Sequence, residues 1–329
     1  MDSLVVLGAQ NANVDDRFLD RKEIKTVQYF EEGKFHELTF FHDFGSLGVP
    51  SLCWDKHNKN ILYFTTGDEL YELDLTTKRC QKLNLQFLRD VHEIDCIDGK
   101  IWLSNTYYDE LVAFDIESKS EWKRTRLQPK DANGENRLDV SGRGEFKFKE
   151  GQKNKFHTNQ VFKGYDGSLY ALIHHINGEQ LFHRVAQKLI KKQGNGGVLN
   201  LANGKTHKLS LKAPHSVRLI NNEYWVFDSG HAQLNVYNQA WEMTREIPMA
   251  GWGRGGVYHT EEKRFYAGVS AKRKRYLSFN EENKQKNLVQ VFSVNYNIVD
   301  EFEVPNVEQV NNLYFLDKEQ LEALKLMNK

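Results

Sequence analysis

The chain has 329 residues, and its 45 basic side chains equal its 45 acidic ones, so no global field drives non-specific binding to nucleic acid or anionic membranes. Its 12% aromatic and 40% hydrophobic content suffices for a folded core and excludes wholesale disorder. The opening MDSLVVLGAQNANVDD lacks the basic flank of a secretory leader, no apolar run approaches the roughly 18 residues of a membrane span, and Cys53, Cys80 and Cys96 form no CxxC pair. The expectation is a cytoplasmic protein with reduced thiols, no nucleic-acid partner and no membrane contact.

In chain order, Ser3 to Leu7 reads as a strand, and the charged, irregular Asn11 to Lys25 as a linker. Thr26 to Phe41 reads as a hairpin turning at Glu32 and Gly33. Val49 to Leu85 then shows four short strands separated by turns at Asn58 to Asn60, at Gly67 and Asp68, and at Thr76 and Thr77. Val91 to Leu127 repeats this pattern. Pro129 to Lys155 is rich in Lys, Asp, Glu, Asn and Gly and reads as a long loop between units.

Phe156 opens a third unit, interrupted by a basic segment, Gln180 to Gln193, with helical character, and finished by GGVLNL and KTHKLSL. Pro214 to Asn238 is the clearest unit: an apolar strand, a polar turn, a second strand, a small-residue turn and a third strand. The next contains GRGGVYHTEEKRFYAGVS, the basic loop Ala271 to Asn287 and the hairpin LVQVFSVNYNIVDEFEV. NVEQVNNLYFL supplies one last strand before the amphipathic tail EQLEALKLM, read as a helix.

His92 and His215 each precede a Trp by ten residues, and Asn105 and Asp228 each follow that Trp by three, a shared register that a repeat explains. Four short strands per unit, with turns about every 8–12 residues, are what a propeller blade requires. The N-terminal strands lack an inner partner and the C-terminal strand lacks outer ones, so they complete one blade together. The reading is an all-β, six-bladed β-propeller spanning 1–329 as a single domain, closed by a blade shared between the termini and ending in a short helix. Closure removes long unpaired sheet edges.

The first strand of each blade lines the central channel, so residues at its start cluster at one mouth. Aligning the units places Pro50 and Ser51, His92 and Glu93, His157 and Thr158, His215 and Ser216, Arg254, and Glu308 with Gln309 in one ring. Three imidazoles from successive blades, His92, His157 and His215, suit a divalent zinc, manganese or iron with an open position for water or substrate. The alternative is that they hydrogen-bond neighbouring blades and fill the channel. Arg254, between Gly253 and Gly255, is placed to grip a carboxylate or phosphate, or to pair with Glu308 or Glu93. Glu93 is the carboxylate placed for acid–base work, and Asn159 and Glu308 are further substrate contacts. Asn105 and Asp228 read as residues that tie turns together.

Other patterns lack their context. Gly251, Gly253 and Gly256 match GxGxxG, but no helix pattern follows, so no nucleotide cofactor is expected. GxSxG, P-loop and HExxH motifs are absent. Alternation lets only one of His174 and His175 face a site. AKRKR, at Ala271 to Arg275, reads as a solvated loop.

DSGHAQLNVYN resembles the blade repeats of NHL-repeat, gluconolactonase and strictosidine-synthase-like propellers. FHTNQVF, GNGGVLNL, PHSVRLINNEYWVFDSG and GRGG occur in the order found in a bacterial family of uncharacterised propellers, a resemblance covering roughly Val91 to Ser270. It implies the propeller and no established activity. The lactonase relatives hold calcium or zinc through Glu, Asn and Asp; here His stands in their place, and only Asn159 and Asp228 are of that type. The functional expectation is therefore a His/Arg site at the channel mouth, serving a metal-assisted lyase or hydrolase on a small anionic or sugar-derived substrate. The alternative is a non-catalytic propeller that binds a protein or glycan through its loop face.

Overall fold

The computed structural model describes residues 2–128, 137–140, 154–178, 194–271 and 286–328. They form six antiparallel sheets, the blades of a β-propeller. Blade I joins the termini in the order β25 (Gln309–Leu316), β1 (Ser3–Ala9), β2 (Val27–Glu31) and β3 (Lys34–Glu37). Blade II is β4 (Ser51–Asp55), β5 (Asn58–Thr65), β6 (Leu70–Asp74) and β7 (Arg79–Lys82). Blade III is β8 (Val91–Ile97), β9 (Lys100–Asn105), β10 (Glu110–Asp115), β11 (Ser120–Gln128) and β12 (Arg137–Val140).

Blade IV is β13 (Thr158–Lys163), β14 (Leu169–Ile173), β15 (Gly196–Asn200) and β16 (Thr206–Leu211). Blade V is β17 (Pro214–Ile220), β18 (Glu223–Asp228), β19 (Gln233–Tyr237) and β20 (Met243–Pro248). Blade VI is β21 (Trp252–His259), β22 (Arg264–Ser270), β23 (Leu288–Ser293) and β24 (Ile298–Glu303).

The ring packs because strand side chains alternate between two faces and both faces are covered. Val226 packs toward blade IV, whereas its neighbours Trp225 and Phe227 pack toward blade VI. Tyr63 turns to blade III while Leu62 and Phe64 turn to blade I. Six apolar clusters result, one at each interface between blades. The latch of blade I pairs Ser3 with Leu316 through Ala9 with Gln309, interrupted by a bulge at Leu7 and Gly8.

The hairpin turn at Glu32 and Gly33 takes φ of 52° and 77°, as a two-residue primed turn requires. The tail forms α1 (Lys318–Lys325) behind a capping box, in which Asp317 accepts from Gln320 N and Gln320 Oε1 accepts from Asp317 N. Its Leu321 and Leu324 join the cluster between blades I and II.

One reading needs correction. The insertion at Pro129 to Lys155, read as loop, carries β12, which pairs with the outer strand β11 from Thr125–Val140 to Gln128–Arg137 and makes blade III five-stranded. An outer strand with an open edge accepts any short segment that alternates, and RLDV does. Most of that insertion, the segment Gln180 to Gln193 and most of the loop Ala271 to Asn287 lie outside the described residues. All three cysteines are free thiols, and no described helix is long and apolar enough to cross a membrane.

Inside the ring, Arg218 on β17 donates to Gly256 O at 2.6 Å and Asn312 Oδ1 at 2.9 Å, and pairs with Glu93 Oε1 at 2.8 Å. Breaking a buried pair leaves an uncompensated charge, so Arg218→Ala should cost about 3–5 kcal/mol in urea unfolding, whereas Glu93→Leu with Arg218→Met should recover much of that loss.

Candidate functional site

At the mouth of the channel the inner strands do not run straight. Register shifts interrupt the pairing between Val91 and Ile94 in β8, Thr158 and Gln160 in β13, His215 and Val217 in β17, and Gly253 and Gly256 in β21. A bulge re-aims the side chains beside it. Each of these four blades thereby turns a ring residue, His92, His157, His215 or Arg254, into one cavity of about 490 Å³. That volume suits a small molecule.

The cavity holds a fourth imidazole, His174, from the end of β14. Ring centroids are 4.1 Å apart for His157 and His174, 5.3 Å for His92 and His157, 5.6 Å for His174 and His215, and 6.0 Å for His92 and His215. Trp252 lies 5.8 Å from His215. Burial, then the neighbouring His92, pulls His157 down to about 3. Burial, then His157 and His215, holds His174 well below the ordinary histidine range. Two rings of the cluster therefore stay neutral at physiological pH.

Hydrogen bonds fix one tautomer. His215 Nδ1 lies 3.0 Å from Ala213 O and 2.9 Å from Ser229 Oγ, and a carbonyl oxygen only accepts, so Nδ1 carries the proton. Ser229 Oγ itself donates to Gly253 O. Nε2 is then the basic nitrogen of the ring. His157 is set differently: its backbone is left-handed, with φ of 53°, and Asp109 fixes it by accepting N–H bonds from Lys155, Phe156 and His157 at 2.5, 3.1 and 2.9 Å.

Arg254 donates through Nη1 to Asn311 Oδ1 at 2.5 Å. The missing Cβ of Gly255 makes that reach practicable, since any Cβ there would overlap Asn312 and the Asn311 carbonyl. Desolvation would push the Asp90 carboxyl up, though its side chain is half exposed, but His92, His157 and Arg254 outweigh it and hold it down to about 2. Arg89 lies over the Tyr107 ring at 4.1 Å, and both line the cavity.

The remaining sequence-derived residues divide. Asn159 lines the cavity, donating Nδ2 to Pro214 O at 2.5 Å and lying 2.7 Å from His174 Nε2. Glu93 sits at the cavity floor with both oxygens engaged, Oε1 by Arg218 and by Asn312 Nδ2 at 3.3 Å, Oε2 by Ser216 Oγ at 2.6 Å. Glu308 is turned away from the cavity; it accepts backbone N–H bonds from Asn11, Phe18 and Leu19 at 2.7, 2.6 and 2.7 Å and so pins the loop after β1. The pairings of Arg254 with Glu93 or Glu308 give way to Asn311.

The three-imidazole metal set does not assemble: among the described residues no three His, Cys, Asp or Glu side chains are grouped to hold a metal.

Asp90 and Trp252 went unassigned in the sequence, and of His174 and His175, only one of which alternation allowed to face a site, it is His174 that lines the cavity. Asp90 and Trp252 each stand two residues before a ring residue, a spacing that alternation would have placed on the same face.

No protein-family model and no curated protein matches this chain. Solved structures match in fold. A chain of the nidogen–laminin complex has a TM-score of 0.57 at 9% identity, covering 95% of this chain and 98% of that one. A Bacteroides caccae protein of unknown function has a TM-score of 0.54 at 11% identity, covering 96% and 99%. A candidate 6-phosphogluconolactonase from Bacteroides fragilis has a TM-score of 0.51 at 12% identity, covering 96% and 98%.

A histidine held neutral in the fold loses stability as pH falls from its unfolded value near 6.5 toward its folded value near 3, because the unfolded chain then binds the extra proton. His157→Asn keeps a side chain that tolerates left-handed backbone. Between pH 7 and pH 5, this variant should lose about 1–2 kcal/mol less stability than wild type in urea unfolding.

Proposed function

We propose that the chain is an enzyme acting at the channel mouth on a small anionic substrate, with Arg254 as the anion anchor and His215 as the proton acceptor. The observation that carries this reading is the pre-set tautomer of His215: Nδ1–H held by Ala213 O and Ser229 Oγ turns the ring into a base at Nε2 within a cavity it shares with Arg254. The chemistry is that of a lyase or a hydrolase. His215 Nε2 takes a proton from a carbon beside the substrate carboxylate or, in the hydrolase case, from a water that adds to an ester or lactone carbonyl; the acyl C–O bond then breaks and the leaving alkoxide takes the proton back from the imidazolium.

In the lyase case the C–H pair becomes the new double bond, and the leaving group departs with its own electron pair. Neutral His157 and His174 line the path without adding charge, so the positive charge that draws the anion comes from arginine. The mixed lining, apolar with polar side chains such as Asn159 and Asn311, suits a small hydroxylated carboxylate, including sugar acids. The carboxylates carry little of this reading, since Glu93 is committed to Arg218. Nor does the metal-assisted route, given the missing ligand set. Binding of a protein or glycan through the loop face rests on insertions that lie largely outside the described residues.

The test is a thermal-shift panel of small carboxylates, hydroxy acids, sugar acids and their lactones against untagged protein, followed by turnover assays on each stabilising compound. At least one anion should stabilise the protein and be consumed. Arg254→Ala should abolish the stabilisation, and His215→Gln should keep it while lowering turnover roughly 10²–10⁴-fold. Stabilisation by neutral sugars alone, or wild-type turnover by His215→Gln, would overturn the assignment.

A further inference from the structure

We infer that the substrate is a diacid: beside the anionic group at Arg254 it carries a second one, a carboxylate or a phosphate, gripped by Arg89 at the rim of the cavity. The first half rests on the reading of Arg254 given above, whereas the second stands on Arg89 itself. Both arginines line the cavity, Arg254 from blade VI and Arg89 from the loop that enters blade III, on opposite sides of the six-bladed ring. One small ligand held between them meets a guanidinium at each end.

Arg89 is held at its backbone and at its side chain by the turn Thr106–Tyr108 and the Asn105 that leads into it. Its N–H donates to Asn105 Oδ1 at 2.8 Å, and its carbonyl accepts from Tyr107 N at 3.3 Å. Asn105 is buried and anchored on Glu110 at 2.9 Å. The guanidinium lies on the Tyr107 ring at 4.1 Å, and Tyr108 braces that ring edge-on at 4.9 Å. Stacking uses the face of a guanidinium and leaves its N–H donors, which lie in the plane, turned outward as a fork. That fork matches two oxygens of a carboxylate or phosphate. An arginine tied at three points gives up little freedom when an anion arrives.

Charge separates Arg89 from the other cations of the site. Arg218, beneath the floor, is paired with Glu93, while Arg254 reaches Asn311 and acts on Asp90. The aspartates of the rim face other groups: Asp90 lies 3.4 Å from His92 Nε2, and Asp68 Oδ1 accepts Asp90 N at 3.2 Å. Among the described residues no carboxylate comes within ion-pair distance of Arg89. An arginine stays charged at every physiological pH, so an anionic group of the ligand supplies the counter-charge that the chain does not.

Calorimetric titration of the full chain with pairs that differ by one acid group tests this: lactate with malate, 2-hydroxybutyrate with 2-hydroxyglutarate, and glycerate with 3-phosphoglycerate. In at least one pair the diacid should bind about tenfold tighter, some 1.4 kcal/mol. An advantage in the carboxylate pairs assigns a carboxylate to Arg89, and one confined to the last pair assigns a phosphate. Arg89→Gln should collapse the ratio toward one, whereas Arg89→Lys, which keeps the charge without the fork, should retain part of it. Tyr107→Leu, which removes the stacking ring, should lower the ratio to an intermediate value. Arg254→Ala should weaken both members of a pair together. Equal affinities within every pair, or a ratio untouched by Arg89→Gln, overturn the second acid site and leave the reading of Arg254 standing. A diacid that needs Arg89 and ignores Arg254→Ala overturns that reading and leaves Arg89 standing. Binding of no acid overturns both.

Discussion

The structure depends on one ion pair at the centre of the ring, Arg218 with Glu93, because six inner strands converge there and each has a ladder partner on one side only. The channel-side N–H groups of those strands must find other acceptors. They find side chains of the next blades. Ile94 N donates to Ser51 Oγ at 3.1 Å, Val217 N to Gln160 Oε1 at 2.5 Å, Leu52 N to Tyr314 OH at 3.2 Å, and Val310 N to Ser270 Oγ at 2.8 Å. Arg218 closes the set by reaching Gly256 of blade VI, Asn312 of blade I and Glu93 of blade III. The same network is the floor of the cavity, since Glu93, Ser216 and Asn312 line it from below. Scaffold and site thus share one set of hydrogen bonds. A committed Glu93 follows from this, and in the proposed reaction proton transfer falls to groups above the floor.

The blades were legible because their physics is periodic. Period-two alternation with both faces apolar, as in YWVF at Tyr224 to Phe227, encodes a sheet sandwiched between two others. The Asn105 and Asp228 register proved equally physical. Asn105 accepts Arg89 N and Asp228 accepts Lys212 N, both at 2.8 Å and both from the loop entering their own blade. A repeat in sequence is here a repeat in loop-tying hydrogen bonds. β12 was illegible for the opposite reason: four residues in a charged insertion carry too little periodicity, and only the open edge of β11 gives them a structure.

The site was legible to the extent that strand position decides it. His92, His157, His215 and Arg254 share a cavity because they occupy equivalent starts of inner strands. What lay beyond reach was single-residue register at the bulges. Gln309 faces the cavity while Glu308, one residue earlier, turns to the backbone of the loop after β1. His174 reaches the cavity from a second strand, which no alignment of first strands can show. Ring orientation was also hidden, because the tautomer of His215 depends on a carbonyl two residues earlier and a hydroxyl in the following turn.

Around the mouth, Asp90, His157 and Ser216 all hold left-handed backbone, with φ of 57°, 53° and 40°. Each such residue costs about 1–3 kcal/mol and persists only where contacts enforce it. For His157 the enforcement is three N–H bonds to Asp109, and for Ser216 it is a hydroxyl bond to Glu93. A channel filled only for packing would relax toward extended strand, where the same side chains would pair along the ladder at no such cost. Left-handed backbone also occurs at turns far from the mouth, such as Lys78, Trp241 and Tyr296, but at His157 a buried carboxylate, Asp109, maintains it. The six apolar interfaces supply the stability against which these few positions are held at the mouth.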